Sequence, residues 1–195
     1  MNDMNMQTAL TYGDYLKQPV DIRQELIDGV LKIMSGANKW HVQLTFSLIS
    51  LLGTFWKGKK NKYWIFHAPF DVILFPDHDD LLLSKTVVQP DIGVVKDFAK
   101  VQENKIVGVP DLLIEVVSPS NFKHDVEVKR ALYEKAGVLE YWILFPKEEV
   151  INVYLLDDKE KKYKDYTTYS LEKDIEIKSE VIEGLSFNMK DLFQS

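Results

Sequence analysis

An α/β fold built on a mixed β-sheet is predicted by three features of this sequence. The run DLLIEVV (residues 111–117) has the length and β-branched content of a strand buried on both faces. FKHDVEVKRALYEKAG (122–137) follows with a helical pattern, and EYWILF (140–145) returns to a strand. Strand, helix, strand in that order is a crossover unit with a parallel pair. Beyond it, VINVYLL and KKYKDYTTY alternate as antiparallel strands do, so the sheet is mixed.

The remaining elements follow in chain order. TYGDYLKQ opens with a capping-box pattern, Thr11 and Asp14, and reads as a short helix. RQELIDGVLKIM reads as a hairpin with Asp28-Gly29 as its tight turn. Asn38 is placed to cap a helix reaching about Trp56, along which Trp40, Leu44, Leu48, Leu52 and Phe55 recur at helical spacing. From KYWIFHAPFDVILF the period changes towards two, giving one long strand bent or bulged at Pro69. TVVQPDIGVV reads as another strand, with Pro90 near its middle, and SPSN as the turn after DLLIEVV. Gly137 stops the crossover helix. The tail, ending in GLSFNMKDLF, is expected to add antiparallel strands that extend or cover the sheet.

At 195 residues and 46% hydrophobic content the chain suits one domain, 1–195, because two cores would be cramped. Cysteine is absent, which excludes disulfides, thiolate catalysis and thiolate zinc sites. MNDMNMQTAL lacks the basic-then-apolar pattern of a leader, and no apolar run approaches the roughly 20 residues that span a bilayer. A cytoplasmic protein without a membrane partner is expected. The net charge of −6 counts against a broad basic surface for nucleic acid, although divalent cations bound to carboxylates reverse the local field.

The chemistry centres on two acids. Asp91 in QPDIGVV and Glu115 in LLIEVV are each the only acid within an apolar strand. Two buried carboxylates close together repel unless one is protonated or a cation bridges them. Hard oxygen ligands favour Mg²⁺ or Mn²⁺, which lower the pKa of bound water and stabilise charge on a phosphoryl oxygen. A second reading stays open: Asp91 as a turn residue after Pro90, and Glu115 paired with a lysine or arginine. Lys129 enters through geometry. A helix folding back from Phe122 descends about 10 Å by Lys129, and two residues of strand back to Glu115 cover about 6–7 Å. With the height of the turn included, the two stand at similar levels. Asp125, Lys129 and Tyr133 share a helical face. For Asp125 the spacing favours an ordinary exposed pair with Lys129. His41, at the margin of a core-facing stripe, reads as a structural histidine. His67 carries no spacing signal, and DHDD (77–80) reads as a solvated acidic turn.

ELIDG, QPDIGVV, PDLLIEVVSPS, the Asp125, Lys129, Tyr133 series and GVLEYWIL together resemble the Uma-type family of putative restriction endonucleases, in the PD-(D/E)XK nuclease superfamily. The likeness runs from about Tyr12 to Phe193. It implies a restriction-endonuclease-like core, a mixed sheet flanked by helices, and a Mg²⁺- or Mn²⁺-dependent phosphodiesterase. Asp91 matches the aspartate of the PD element and Glu115 the acid of the second element. The superfamily's usual lysine position is occupied by Val117, and the family pattern moves the lysine to the following helix, here Lys129. Glu25 matches a further acid that reaches the metal directly or through water.

The leading expectation is therefore a metal-dependent nuclease acting on nucleic acid, with DNA as the expected substrate and a homodimer possible. Asp91, Glu115 and the backbone carbonyl of Val116 would hold the metal, and Lys129 would orient water or neutralise charge, with Glu25 at the cleft's edge. The alternative is an inactive nuclease-like scaffold that binds nucleic acid or protein. A glycosidase using Asp91 and Glu115 gives Lys129 no task.

Overall fold

The computed structural model describes residues 9–19 and 21–194. Residues 1–8, most of the stretch read for a leader, lie outside the described residues. Thr11 caps α1 (Tyr12–Tyr15) through the reciprocal box with Asp14. The hairpin β1 (Gln24–Ile27) and β2 (Val30–Ile33) turns on Asp28 and Gly29, at φ 48° and 80°, the positive angles that a two-residue turn of the primed type needs. α2 (Lys39–Trp56) starts at Asn38, whose side chain accepts from the amides of Trp40 and His41. Of its apolar stripe, Leu44, Leu48 and Leu52 are buried, whereas Trp40 is exposed.

The two long strands expected around Pro69 and Pro90 are each divided. KYWIFHAPFDVILF gives β3 (Trp64–His67) and β4 (Asp71–Ile73), and TVVQPDIGVV gives β5 (Val87–Val88) and β6 (Ile92–Val95). β3 and β6 join one sheet, and β4 and β5 another. Proline has no N–H to give a ladder, so each strand ends at its proline and resumes in the neighbouring sheet. The two breaks adjoin: Ala68 donates its amide to the Asp91 carbonyl at 3.0 Å.

The rest of the chain comprises β7 (Lys105–Val107), β8 (Leu112–Val116), the helix beginning with a π-helical segment His124–Lys129 and continuing as α3 (Arg130–Ala136), β9 (Glu140–Phe145), β10 (Val150–Leu155), β11 (Thr167–Ser170), β12 (Glu176–Lys178), β13 (Ser186–Asn188) and α4 (Met189–Phe193). Gly137, at φ 90°, ends the crossover helix. The last segment departs from expectation: after β13, Asn188 caps a helix by accepting from the Lys190 amide, and MKDLF winds instead of extending.

A six-stranded sheet, ordered β11-β10-β9-β8-β6-β3, is mixed, with β8 and β9 parallel and every other pair antiparallel. α2, α4 and the β12–β13 hairpin cover one face, where Leu44, Leu48, Ile114, Trp142, Phe187 and Leu192 pack together. The other face carries Leu113, Val117, Tyr141 and Ile143. It packs against Leu132 and Tyr133 of the crossover helix and against Val72, Val88 and Ile106 of the second sheet. That second sheet is ordered β2-β1-β5-β4-β7, and α1 packs on it through Tyr12 and Tyr15 beside Leu26 and Val87. The fold is a mixed β-sheet core flanked by helices with additional antiparallel strands at the C-terminus. Among the described residues, no helix is long and apolar enough to cross a membrane.

Gly93 of β6 lies opposite Phe66 of β3, and a Cβ on it would fall 2.2 Å from the Phe66 ring and 3.0 Å from Leu113. Gly93→Ala should therefore overpack the sheet beside Asp91 and cost about 1–3 kcal/mol. Thermal unfolding should show a Tm lowered by roughly 2–10 °C. An unchanged Tm would mean that the ring moves aside freely.

Candidate active site

The antiparallel register Ile92↔Ile114 and Gly93↔Leu113, continued by one residue, sets Asp91 directly opposite Glu115. Directly opposite residues share a face, with Cβ atoms about 4.5–5.5 Å apart. Here it is the face covered by the crossover helix and the second sheet. Asp91 stands between β5 and β6, and its Oδ2 accepts from the Val116 amide at 2.9 Å and from His41 Nε2 at 3.0 Å. The His41 ring nitrogen is the donor because a carboxylate only accepts. Arg23 Nη2 approaches Asp91 Oδ1 at 3.3 Å and donates to the Gln89 carbonyl at 2.7 Å.

Lys129 Nζ reaches Glu115 Oε1 at 2.8 Å, in line with the height argument from the turn. Its second partner is Glu25 Oε1 at 2.9 Å, and Asp125 Oδ1 lies 3.9 Å away. Tyr133 OH donates to the same Glu115 oxygen at 2.8 Å. Asp125, Lys129 and Tyr133, at i, i+4 and i+8, all face this cluster, and the first two lie in the π-helical turn, a distortion that often accompanies functional sites. Glu25 is fully buried and does not lie at a cleft edge: Lys129, the Gln89 amide at 2.9 Å and His124 Nε2 at 3.0 Å enclose it. Asp125 is buried too, in place of the exposed pair suggested by its i, i+4 spacing, because the second sheet covers that helical face. Its Oδ1 has no hydrogen-bond partner.

These surroundings divide the acids into two kinds. For Glu25, burial pushes upward, but the Lys129 charge and the hydrogen bonds from His124 and Gln89 prevail and hold it at about 2. Asp91 is also below the usual range: burial opposes ionisation, and His41, Lys129 and Arg23 outweigh it. Glu115 goes the other way. Burial pushes it well above an ordinary carboxyl, Lys129 draws it down, and the carboxylates of Asp91, Asp125 and Glu25 push it up again. Asp125 is raised to about 6, chiefly by burial, against the attraction of Lys129 and with repulsion from Asp91. Lys129, despite its burial, is raised by the four carboxylates around it. The cluster is thus short of positive charge.

A small cavity of about 10 Å³, room for one water-sized occupant, opens on this cluster. Asp91, Glu115, Val116, Asp125, Arg23 and His41 line it. Lys129 and Glu25 lie behind this lining with no exposure. Among the described residues, no three His, Cys, Asp or Glu side chains form a ready cage for a metal. The donors are nevertheless oxygen-rich, one of them is a buried oxygen without a hydrogen-bond partner, and the local charge calls for a cation. Such a set fits Mg²⁺, which commonly takes one or two carboxylates and completes its shell with water and phosphate.

Sequence reasoning missed Arg23, His124 and the placement of His41 against Asp91. Arg23 and His124 belong to elements read only for their helix or hairpin pattern, and nothing in the spacing ties them to the carboxylates. His67 is exposed, its Nδ1 on the Ala68 carbonyl, and stands outside the cluster. In the DHDD loop Asp77 accepts from the amides of Asp79 and Asp80, and Asp80 caps a short 3₁₀ turn, so this is an ordinary acidic turn.

The fold is shared with the crystal structure of a putative nuclease belonging to DUF820 from Anabaena variabilis ATCC 29413. The match has a TM-score of 0.72 at 18% sequence identity and covers 95% of this chain and 98% of that one. The sequence matches the Uma2 family model, described as "Putative restriction endonuclease", over residues 12–190, and the chain belongs to that family. No curated protein sequence matches it.

A carboxyl raised from 3.8 to about 6 in the fold costs stability once ionised, and the cost disappears as pH falls through that value. In the metal-free protein, Asp125→Asn should raise stability at pH 7.5 by roughly 1–3 kcal/mol. The gain should vanish by about pH 4. From about pH 5 downward both forms should lose stability together, because Glu25 takes its proton near 4.5 in the unfolded chain and only near 2 in the fold. Thermal melts from pH 3 to 8 check this, and a variant less stable than wild type at pH 7.5 would contradict it.

Proposed function

We propose that the protein is a divalent-metal-dependent nuclease that hydrolyses phosphodiester bonds in DNA, using Mg²⁺ or Mn²⁺. The observation that carries this reading is the set of three carboxylates, Asp91, Glu115 and Asp125, lining one ion-sized cavity, two of them raised by burial and by repulsion from neighbouring acids. Asp91, Glu115 and the Val116 carbonyl are the residues that would hold the metal, and Asp125 is within the same lining. When bound, the metal polarises the scissile phosphate and lowers the pKa of the attacking water.

The chain's own groups divide the remaining work. Asp91 is kept ionised by His41 and Arg23, so one ligand is available without loss of a proton. Glu115 is oriented by the hydrogen bonds from Lys129 and Tyr133 to its Oε1, which directs its other oxygen elsewhere. Lys129 acts from beneath Glu115 as a fixed positive charge close to the developing negative charge. Arg23 lines the cavity, and its guanidinium charge there would favour a phosphate oxygen.

Because the metal and the proton compete for Glu115 and Asp125, Mg²⁺ or Mn²⁺ should raise Tm at pH 7.5 by mass action, with an increment that shrinks below about pH 6. Asp91→Asn should abolish the increment, and it should not stabilise the metal-free protein, since it removes the partner of His41 and Arg23. Equal increments in both proteins would place the ion elsewhere.

Cleavage of plasmid, linear duplex and single-stranded DNA with either metal tests the activity itself. Lys129→Met should lower turnover roughly 10²–10³-fold, as loss of one preorganised electrostatic group does. The rates are to be compared at a temperature where both proteins are folded. Wild-type rates in the variant would remove Lys129 from the mechanism, and no cleavage of any substrate by the wild type would favour the binding scaffold.

A further inference from the structure

A second, larger cavity of about 280 Å³ adjoins the carboxylate cavity along two segments of chain. Its lining includes Asn38, Trp40, Val117, Phe122, Phe145 and Lys147. Trp40 precedes His41 on the first turn of α2, and Val117 and Phe122 flank the Ser118 and Asn121 that line the carboxylate cavity. The two cavities are therefore neighbours around one rim.

The walls are unusual for a surface cleft. Trp40 is 46% exposed and Phe122 is 50% exposed, although both are large aromatics beside a polar site. Phe122 packs on Phe145 with centroids 6.1 Å apart, and the Lys39 ammonium lies 4.7 Å from the Trp40 ring centroid. An exposed aromatic surface with one lysine against its tryptophan, in a cleft bordering the carboxylate site, has the make-up of a stacking platform for nucleobases. A paired base inside a duplex has no free face for such a ring, whereas an unpaired one has two.

We infer that the Trp40–Phe122 cavity is a stacking subsite that takes an unpaired nucleobase of the strand whose phosphate enters the carboxylate site. Resting on the nuclease reading, this makes the preferred substrate a single strand, or a duplex carrying unpaired nucleotides. Lys147 and Glu148 on the cavity wall offset one another, and Lys39 rests against the Trp40 ring, so the rings carry the contact; the stacked base fixes which phosphate faces Asp91 and Glu115.

The test measures binding and cutting separately on the full chain. A single-stranded oligonucleotide carrying 2-aminopurine, the matched duplex, and a duplex with one unpaired 2-aminopurine are titrated with calcium as the sole divalent cation at fixed salt. Stacking should quench the probe in the single strand and at the unpaired position. Trp40→Ala and Phe122→Ala should each weaken binding of those two substrates roughly five- to hundred-fold, with little effect on the matched duplex. Trp40→Phe should restore most of the affinity. Circular dichroism and Tm, which an exposed side chain should barely affect, verify that the variants are folded.

Equal affinity for single strand and matched duplex, with no loss in Trp40→Ala, would overturn the subsite. Efficient Mg²⁺-dependent cleavage of matched duplex alongside that result would leave the nuclease reading intact. Trp40-dependent binding of single strands without cleavage under Mg²⁺ or Mn²⁺ would support the subsite and reject the nuclease reading instead.

Discussion

Lys129 Nζ lies 2.8 Å from Glu115 Oε1 and 2.9 Å from Glu25 Oε1, with no exposure to solvent. A buried ammonium is tolerated only if its partners are held to it as firmly as it is held to them. Those partners come from β8 at the centre of the six-stranded sheet and from β1 of the other sheet, while the lysine rides on the helix between them. One charge thus fixes the spacing of three layers. His124 and the Gln89 amide complete the enclosure of Glu25, and Tyr133 completes that of the engaged Glu115 oxygen. Polar groups elsewhere in the core obey the same rule without acquiring the same character. Glu140 is buried and raised by burial, yet Trp142 Nε1, Ser179 Oγ and the Val181 amide satisfy both its oxygens, and it closes the C-terminal segment over the sheet. What separates the Glu115 cluster from Glu140 is the crowding of acids around too little positive charge.

Much of this was legible in the sequence where burial made a residue conspicuous. Asp91 and Glu115 stood out as acids in apolar strands, and Lys129 could be placed by counting rise per residue. The crossover unit and the α2 stripe were visible for the same reason, as period and length are properties of the chain alone. Glu25 was identified only by family resemblance, because an acid in a short hairpin ordinarily faces water and its burial depends on what packs over it. The reading of Pro69 and Pro90 as bends within strands, when they end strands, hid the second sheet. With that sheet missing, the face of the crossover helix bearing Asp125 looked exposed, and its i, i+4 spacing with Lys129 looked like an ordinary surface pair. His41, Arg23 and His124 were missed on similar grounds. Each meets its carboxylate across a tertiary contact between segments 50 or more residues apart, and no local pattern records that.

The overall charge of −6 then takes on a different meaning. Part of it is concentrated in the Asp91, Glu115, Asp125 and Glu25 group, where Lys129 and Arg23 are the countercharges. A polyanion would be repelled by this group in the absence of metal. On the proposed reading, cation binding reverses the field at the point where the phosphate must sit, so substrate approach and metal occupancy are coupled through one electrostatic balance. Aromatic stacking is, on the same proposed reading, a source of affinity for a strand that needs no further positive charge. The exposed rings of Trp40 and Phe122 beside the carboxylates fit that proposal, and they would let an acidic chain hold a strand without a broad basic face.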